Sequence, residues 1–190
     1  MQSVEVLKRD RVFQGFASMD DVTVEYTGLH GAKRGPITRL SVERGDAVGV
    51  LVFNRDSEQF LFVRQLRVPL IRHDEPWIVE VAAGGIEKGE TPEEAAIREV
   101  EEEIGYQAKK LEYLGEMYGS PGGLSEKLTL YYAEVEAKDR TGEGGGVDDH
   151  EDVEIVPMTV KQAFEAVDRF ELKDAKTLIT LLRVRSRFAA

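Results

Sequence analysis

The sequence predicts an α/β/α sandwich with a mixed sheet and a small N-terminal β extension. Short apolar runs separated by turn residues fill the first part of the chain, one amphipathic helix with strong start and stop signals follows, and two helical segments close it. A helix on each side of such strands would bury both faces of a sheet.

Residues 12–44 read as short strands broken by the glycine-containing stretch 28–35, a hairpin of the N-terminal sheet. Residues 46–67 form a second hairpin, AVGVLVF, then a turn at NRDSEQ, then FLFVRQLR. A strand at 77–81 leads into a glycine turn. Further strands are expected at 111–118, 127–136 and 153–157, with a glycine-rich loop before the last. Helices are expected at 160–169 and 174–188, the second offering Leu178, Leu181, Leu182 and Val184 for packing. The division is residues 1–45 as the β extension and 46–190 as the main domain.

The central helix carries its own punctuation. Thr91 can cap, Pro92 suits the first helical position, Glu94 stands three residues after the cap, and Gly105 is a natural stop. Ala96, Ile97, Val100 and Ile104 give an apolar stripe. Glu99 lies three residues from Glu102 and four from Glu103, so the carboxylates converge on one side. Each such exposed like-charge pair costs the helix roughly a few tenths of a kcal/mol. A hard divalent cation shared with substrate phosphates would offset that repulsion, whereas an isolated run of three glutamates is usually a solvated face.

Composition narrows the function. A formal net charge of −11 argues against a duplex nucleic-acid binder, which needs a basic footprint. Cysteine is absent, which removes disulfides, thiolate metal sites and a cysteine nucleophile. The longest strongly apolar run, 47–53, is far too short to cross a bilayer, and MQSVEVLKRDR lacks the core of a secretory signal. The expectation is a soluble cytoplasmic protein without membrane or nucleic-acid partners.

Gly84, Glu90, Arg98, Glu99, Val100, Glu102, Glu103, Gly105 and Tyr106 fill every fixed position of a Nudix box, and on these residues the chain resembles the Nudix hydrolases. The resemblance implies the Nudix α/β/α sandwich and a Mg²⁺ (or Mn²⁺) cofactor. It also implies metal ligands at Glu99 and Glu103, with Glu102 and the Ala83 carbonyl as further ligands. Arg98, four residues before Glu102, is expected to orient the carboxylates by a salt bridge. The superfamily's isomerase branch uses a cysteine and is disfavoured here.

The strands ERGDAVGVLVF and VRQLRVP, the segment EPWIVEVAAGG and the turn Ser120-Pro121-Gly122-Gly123 ending at Glu126 resemble the ADP-ribose pyrophosphatase branch and its nucleoside-diphosphate-sugar relatives. Pro121 is a mark of that branch, and Gly122 and Gly123 would admit close approach of backbone amides to a sugar or phosphate. By the same resemblance Arg67 helps hold the nucleotide, ahead of Arg64 and Arg72. In the loop 141–152, Glu151 is favoured as the general base that activates water, with Asp149 as runner-up, and glycine flexibility fits a closing loop. His73 and His150 are assigned no role.

The implied reaction is Mg²⁺-dependent hydrolysis of a nucleoside diphosphate sugar, with ADP-ribose giving AMP and ribose 5-phosphate as the leading case. GDP-mannose is the nearest alternative substrate, and a noncatalytic ADP-ribose sensor is the alternative from another class. Resembling sugar-diphosphate hydrolases use their N-terminal strands to build a homodimer, so a homodimer is expected.

Overall fold

A computed structural model describes residues 3–146 and 152–188. The chain forms two compact units, residues 1–46 with 118–127, and 47–117 with 128–190.

The first unit is a three-stranded antiparallel sheet of β1 (Val4–Gln14), β2 (Ser18–Thr27) and β3 (Lys33–Glu43) in that order. β1 begins eight residues before the expected strand at 12, because the run of charged residues from Lys8 to Arg11 breaks the apolar pattern that marks a strand. Asp20, on the central strand, is buried and accepts hydrogen bonds from Arg9 and Arg11 of β1. The turn at Ser120 is fastened to the end of β3. The Val42 amide donates to the Gly123 carbonyl (2.8 Å), and the Ser125 amide donates to the Val42 carbonyl (3.1 Å).

The second unit is built on a mixed sheet of β4 (Ala47–Asn54), β5 (Gln59–Leu66), β6 (Trp77–Glu80), β7 (Ala82–Gly85), β8 (Leu111–Tyr118), β9 (Lys127–Val135) and β10 (Glu154–Thr159). The strand order is β10-β5-β4-β9-β8, with β6 beside β5 and β7 beside β4, and β4 runs parallel to β9. The period-two pattern of β4 sends Val48, Val50 and Val52 to one face and Leu51 to the other. The first face is covered by α1 (Pro92–Ile104), through Ala95, Ala96, Val100 and Ile104. The second is covered by α2 (Val160–Asp168) and α3 (Ala175–Val184), through Ala163, Val167, Leu181 and Val184. The expected sandwich is present.

Two further details differ from expectation. Ile97 is only half buried and lies outside the core, and Ala95 takes its place, because a residue one position beyond Ala96 is turned about 100° around the helix. The strand read at 77–81 ends at Glu80, and the chain resumes as β7 at Ala82. This break leaves a carboxylate, Glu80, fully inside the unit.

Candidate active site

The site in the second unit begins at the two ends of α1. At its start, Thr91 Oγ1 accepts the Glu94 amide (3.2 Å) and Glu94 Oε2 accepts the Thr91 amide (2.8 Å), the reciprocal cap expected from the sequence. At its end Gly105 adopts φ +78°, and a Cβ there would collide with the backbone of Gly142 and Gly144.

Along the helix, Glu99 and Glu103 are buried, 8 % and 7 % exposed, and both lie against β7. Glu103 Oε2 accepts the Ala83 amide (2.9 Å) and Oε1 accepts Gln65 Nε2 (3.2 Å). Gly84 comes so close to Glu99 that a Cβ on it would overlap the carboxylate. The glycine of the motif is therefore a steric requirement of α1 packing on β7. Burial pushes Glu103 up to about 8, with Glu99 and Glu80 adding to the effect and the Ala83 hydrogen bond and Arg67 opposing it.

Arg98 binds three carboxylates. Nε donates to Glu90 Oε1 (3.0 Å), Nη1 to Glu99 Oε1 (2.7 Å) and Glu102 Oε2 (3.0 Å), and Nη2 to Glu90 Oε2 (3.1 Å) and the Gly85 carbonyl (3.0 Å). Its hydrogen bond to Glu90 holds that carboxyl below the usual range and raises the guanidinium further. The fork thus sets the spacing of Glu90, Glu99 and Glu102.

Hard oxygen donors suit a divalent cation of the Mg²⁺ type. Burial, with a smaller contribution from the neighbouring Glu99 and Glu80, keeps the Glu103 carboxyl up near 8, and a cation beside it would favour the ionised form. Among the described residues, however, no three His, Asp or Glu side chains are arranged to hold a metal as they stand. Arg98, Ala83 and Gln65 occupy oxygens of the same carboxylates. The oxygens of Glu99, Glu102, Glu103 and the Ala83 carbonyl are of the chemical type that such an ion takes, without finished coordination among the described residues.

Arg67 lies where β5 ends, and its Nε donates to Glu80 Oε1 (2.6 Å). Arg64, by contrast, pairs with Glu154 on the exposed surface (3.0 Å), and Arg72 and His73 are exposed. Pro121, Gly122, Gly123 and Glu126 belong to the first unit, where Glu126 pairs with Arg44 (3.2 Å). Within the turn, the Gly123 amide donates to the Ser120 carbonyl (3.1 Å).

Glu151, Asp149 and His150 lie outside the described residues. The glycines just before them do not read as a free hinge. Gly145 and Gly146 donate to the Glu103 and Glu102 carbonyls (3.0 and 3.1 Å), so this part of the loop closes the last turn of α1. Sequence reasoning missed Gln65 and Glu80. The signal for Gln65 was its spacing of two from Arg67, which puts both on one face of a strand.

The NUDIX domain family matches residues 43–181. The ADP-ribose pyrophosphatase of Haemophilus influenzae is 29 % identical over 192 residues, covering 99 % of this chain and 88 % of that protein. That of Escherichia coli K12 is 31 % identical over 179 residues, covering 94 % and 86 %. The GDP-mannose pyrophosphatase of Cronobacter sakazakii is 32 % identical over 190 residues, covering 97 % and 96 %. A crystal structure of an ADP compounds hydrolase superposes with a TM-score of 0.72 at 20 % identity, over 97 % of this chain and 94 % of that one, which speaks to the fold. Nudix hydrolases generally use divalent metal ions. With the box complete and its carboxylates gathered on α1 against β7, the chain belongs to the NUDIX domain family.

Proposed function

We propose that this Nudix enzyme hydrolyses, with Mg²⁺, the diphosphate of a nucleoside diphosphate sugar, and that ADP-ribose, yielding AMP and ribose 5-phosphate, is the leading substrate. The observation that carries the reading is the buried pair Glu99 and Glu103, fastened to β7 at the Ala83 amide and against Gly84. A bound divalent cation would supply charge neutralisation on nonbridging oxygens and a more acidic water. The chain's part is to orient the carboxylates through Arg98, to hold the nucleotide through Arg67, and to accept the water's proton. We assign that last task to Glu151, with Asp149 as the alternative. Pro121, Gly122, Gly123 and Glu126 of the first unit keep their proposed role in substrate binding. The reading includes a cytoplasmic setting and a homodimer. The dimer is supported by β1, an outer strand of the first unit's sheet that leaves Val4, Val6, Val12 and Phe13 exposed.

The relatives named for ADP-ribose and for GDP-mannose are equally similar in sequence, so GDP-mannose is the second reading. Incubation with Mg²⁺ and a panel of ADP-ribose, GDP-mannose, other sugar nucleotides and dinucleoside polyphosphates, followed by phosphorus NMR, tests both. Preference for a dinucleoside polyphosphate would overturn the substrate class. A chain that binds ADP-ribose but hydrolyses nothing on the panel would be a sensor.

A further inference from the structure

Glu80 is 2 % exposed and is shared by two cations from different elements. Its Oε1 accepts Arg67 Nε at 2.6 Å, and its Oε2 accepts Lys176 Nζ of α3 at 3.0 Å. Lys176 also reaches Asp174 Oδ1 (2.8 Å), whose other oxygen caps α3 through the Thr177 amide (2.9 Å) and hydroxyl (2.8 Å). Thr177 Oγ1 in turn accepts the amide of Val81, the residue after Glu80. The cap of α3 is thus welded to the backbone that carries Glu80.

An arginine beside a free carboxylate normally closes a two-point fork on it. Here Lys176 holds the second oxygen, and Arg67 makes a single-point contact through Nε. Among the described residues no other side chain pairs with Arg67, which is 38 % exposed. Its Nη atoms are therefore left for an outside anion. We propose that Lys176 is a positioning residue for substrate: by occupying Glu80 Oε2 it keeps Arg67 in the one-point geometry that presents its Nη groups to the nucleotide. The inference rests on the proposed reading of Arg67 as a nucleotide-holding residue. Lys176 acts through Arg67 and from the opposite face of the sheet, since α3 packs on the side away from α1.

The test is steady-state kinetics with ADP-ribose and Mg²⁺ on Lys176→Met, Lys176→Arg, Arg67→Gln and the Lys176→Met/Arg67→Gln double variant, with the fold checked by near-ultraviolet circular dichroism. The expected result is a KM about tenfold higher in Lys176→Met with kcat within threefold, recovery in Lys176→Arg, and no additional KM effect of Lys176→Met in the Arg67→Gln background. A normal KM in folded Lys176→Met, or the same increase with and without Arg67, overturns the proposal. Should Lys176→Met fail to fold, Lys176→Leu, which likewise offers no donor to Glu80 Oε2, takes its place under the same criteria. If wild-type protein turns over nothing, the reaction reading fails on its own. Calorimetric titration with ADP-ribose then decides the positioning role, which requires about tenfold weaker binding in Lys176→Met and is overturned by equal binding or by none in the wild type.

Discussion

Glu103 Oε2 accepts the backbone amide of Ala83 at 2.9 Å, a hydrogen bond that joins the last turn of α1 to β7. It is the main group favouring the ionised form of a carboxyl that burial pushes from 4.5 up to about 8. In the unfolded chain the group loses its proton in the ordinary carboxylate range, whereas the folded protein keeps it. The folded state therefore binds more protons between those two values. Its stability falls as pH rises through that window, and the loss is complete above the folded value. At about 1.4 kcal/mol per unit, the effect is of order a few kcal/mol. Urea unfolding in EDTA from pH 5 to 8.5 should show this decline, and Glu103→Gln should flatten it while removing metal-dependent activity. Parallel curves for the two proteins would defeat the argument.

Gly84→Ala places a methyl group inside the volume of the Glu99 carboxylate. Either the strand or the helix must move, and overpacking of this kind costs roughly 1–3 kcal/mol. Because Glu99 is a proposed metal ligand, we expect kcat to fall at least about a hundredfold with only a modest drop in melting temperature. Full activity in this variant would mean that the position of Glu99 is unimportant.

Arg98→Lys should behave almost as badly as Arg98→Met. A lysine offers one charged point, whereas the guanidinium donates to Glu90, Glu99, Glu102 and the Gly85 carbonyl from three nitrogens. Loss of such a supporting partner typically lowers metal affinity or activity about 10–100-fold. Activity measured against Mg²⁺ concentration should show a weaker apparent metal affinity in both variants, and a lysine variant close to wild type would contradict the role of the fork.

Much of this was legible because the box compresses local rules into a short stretch. The capping box at Thr91 and Glu94, the stop at Gly105 and the Arg98 to Glu102 pair depend on neighbours three or four residues apart, so spacing alone encodes them. The contacts between Glu103 and Gln65, and between Glu80 and Lys176, span 38 and 96 residues and depend on which strand lies beside which. No periodicity encodes that. Glu80 was especially hidden, since a lone carboxylate in an apolar run gives no sign that a cation just past the end of β5 and another on α3 will enclose it. β1 was read too short for the opposite reason, because its exposed charged residues weakened the apolar signal that marks a strand.

Gly144 lies in the loop that the sequence marks as glycine-rich and as the carrier of the candidate base; it has φ +71°, and a Cβ on it would collide with the Glu103 carbonyl and the Ile104 backbone. Its neighbours Gly145 and Gly146 donate to the carbonyls of Glu103 and Glu102, the residues whose side chains are proposed to hold the metal. Gly144→Ala should therefore both strain the left-handed backbone and lift the loop from the end of α1, leaving those two carbonyls without their donors. Each lost bond costs about 1 kcal/mol, so we expect a drop in stability of roughly 2–3 kcal/mol by urea unfolding, together with faster amide exchange at Gly145 and Gly146. If the loop's place on α1 also serves the proposed base at Glu151, kcat should fall about tenfold or more while KM changes little. A variant with normal kcat but the expected loss of stability would make this loop a helix cap and nothing further.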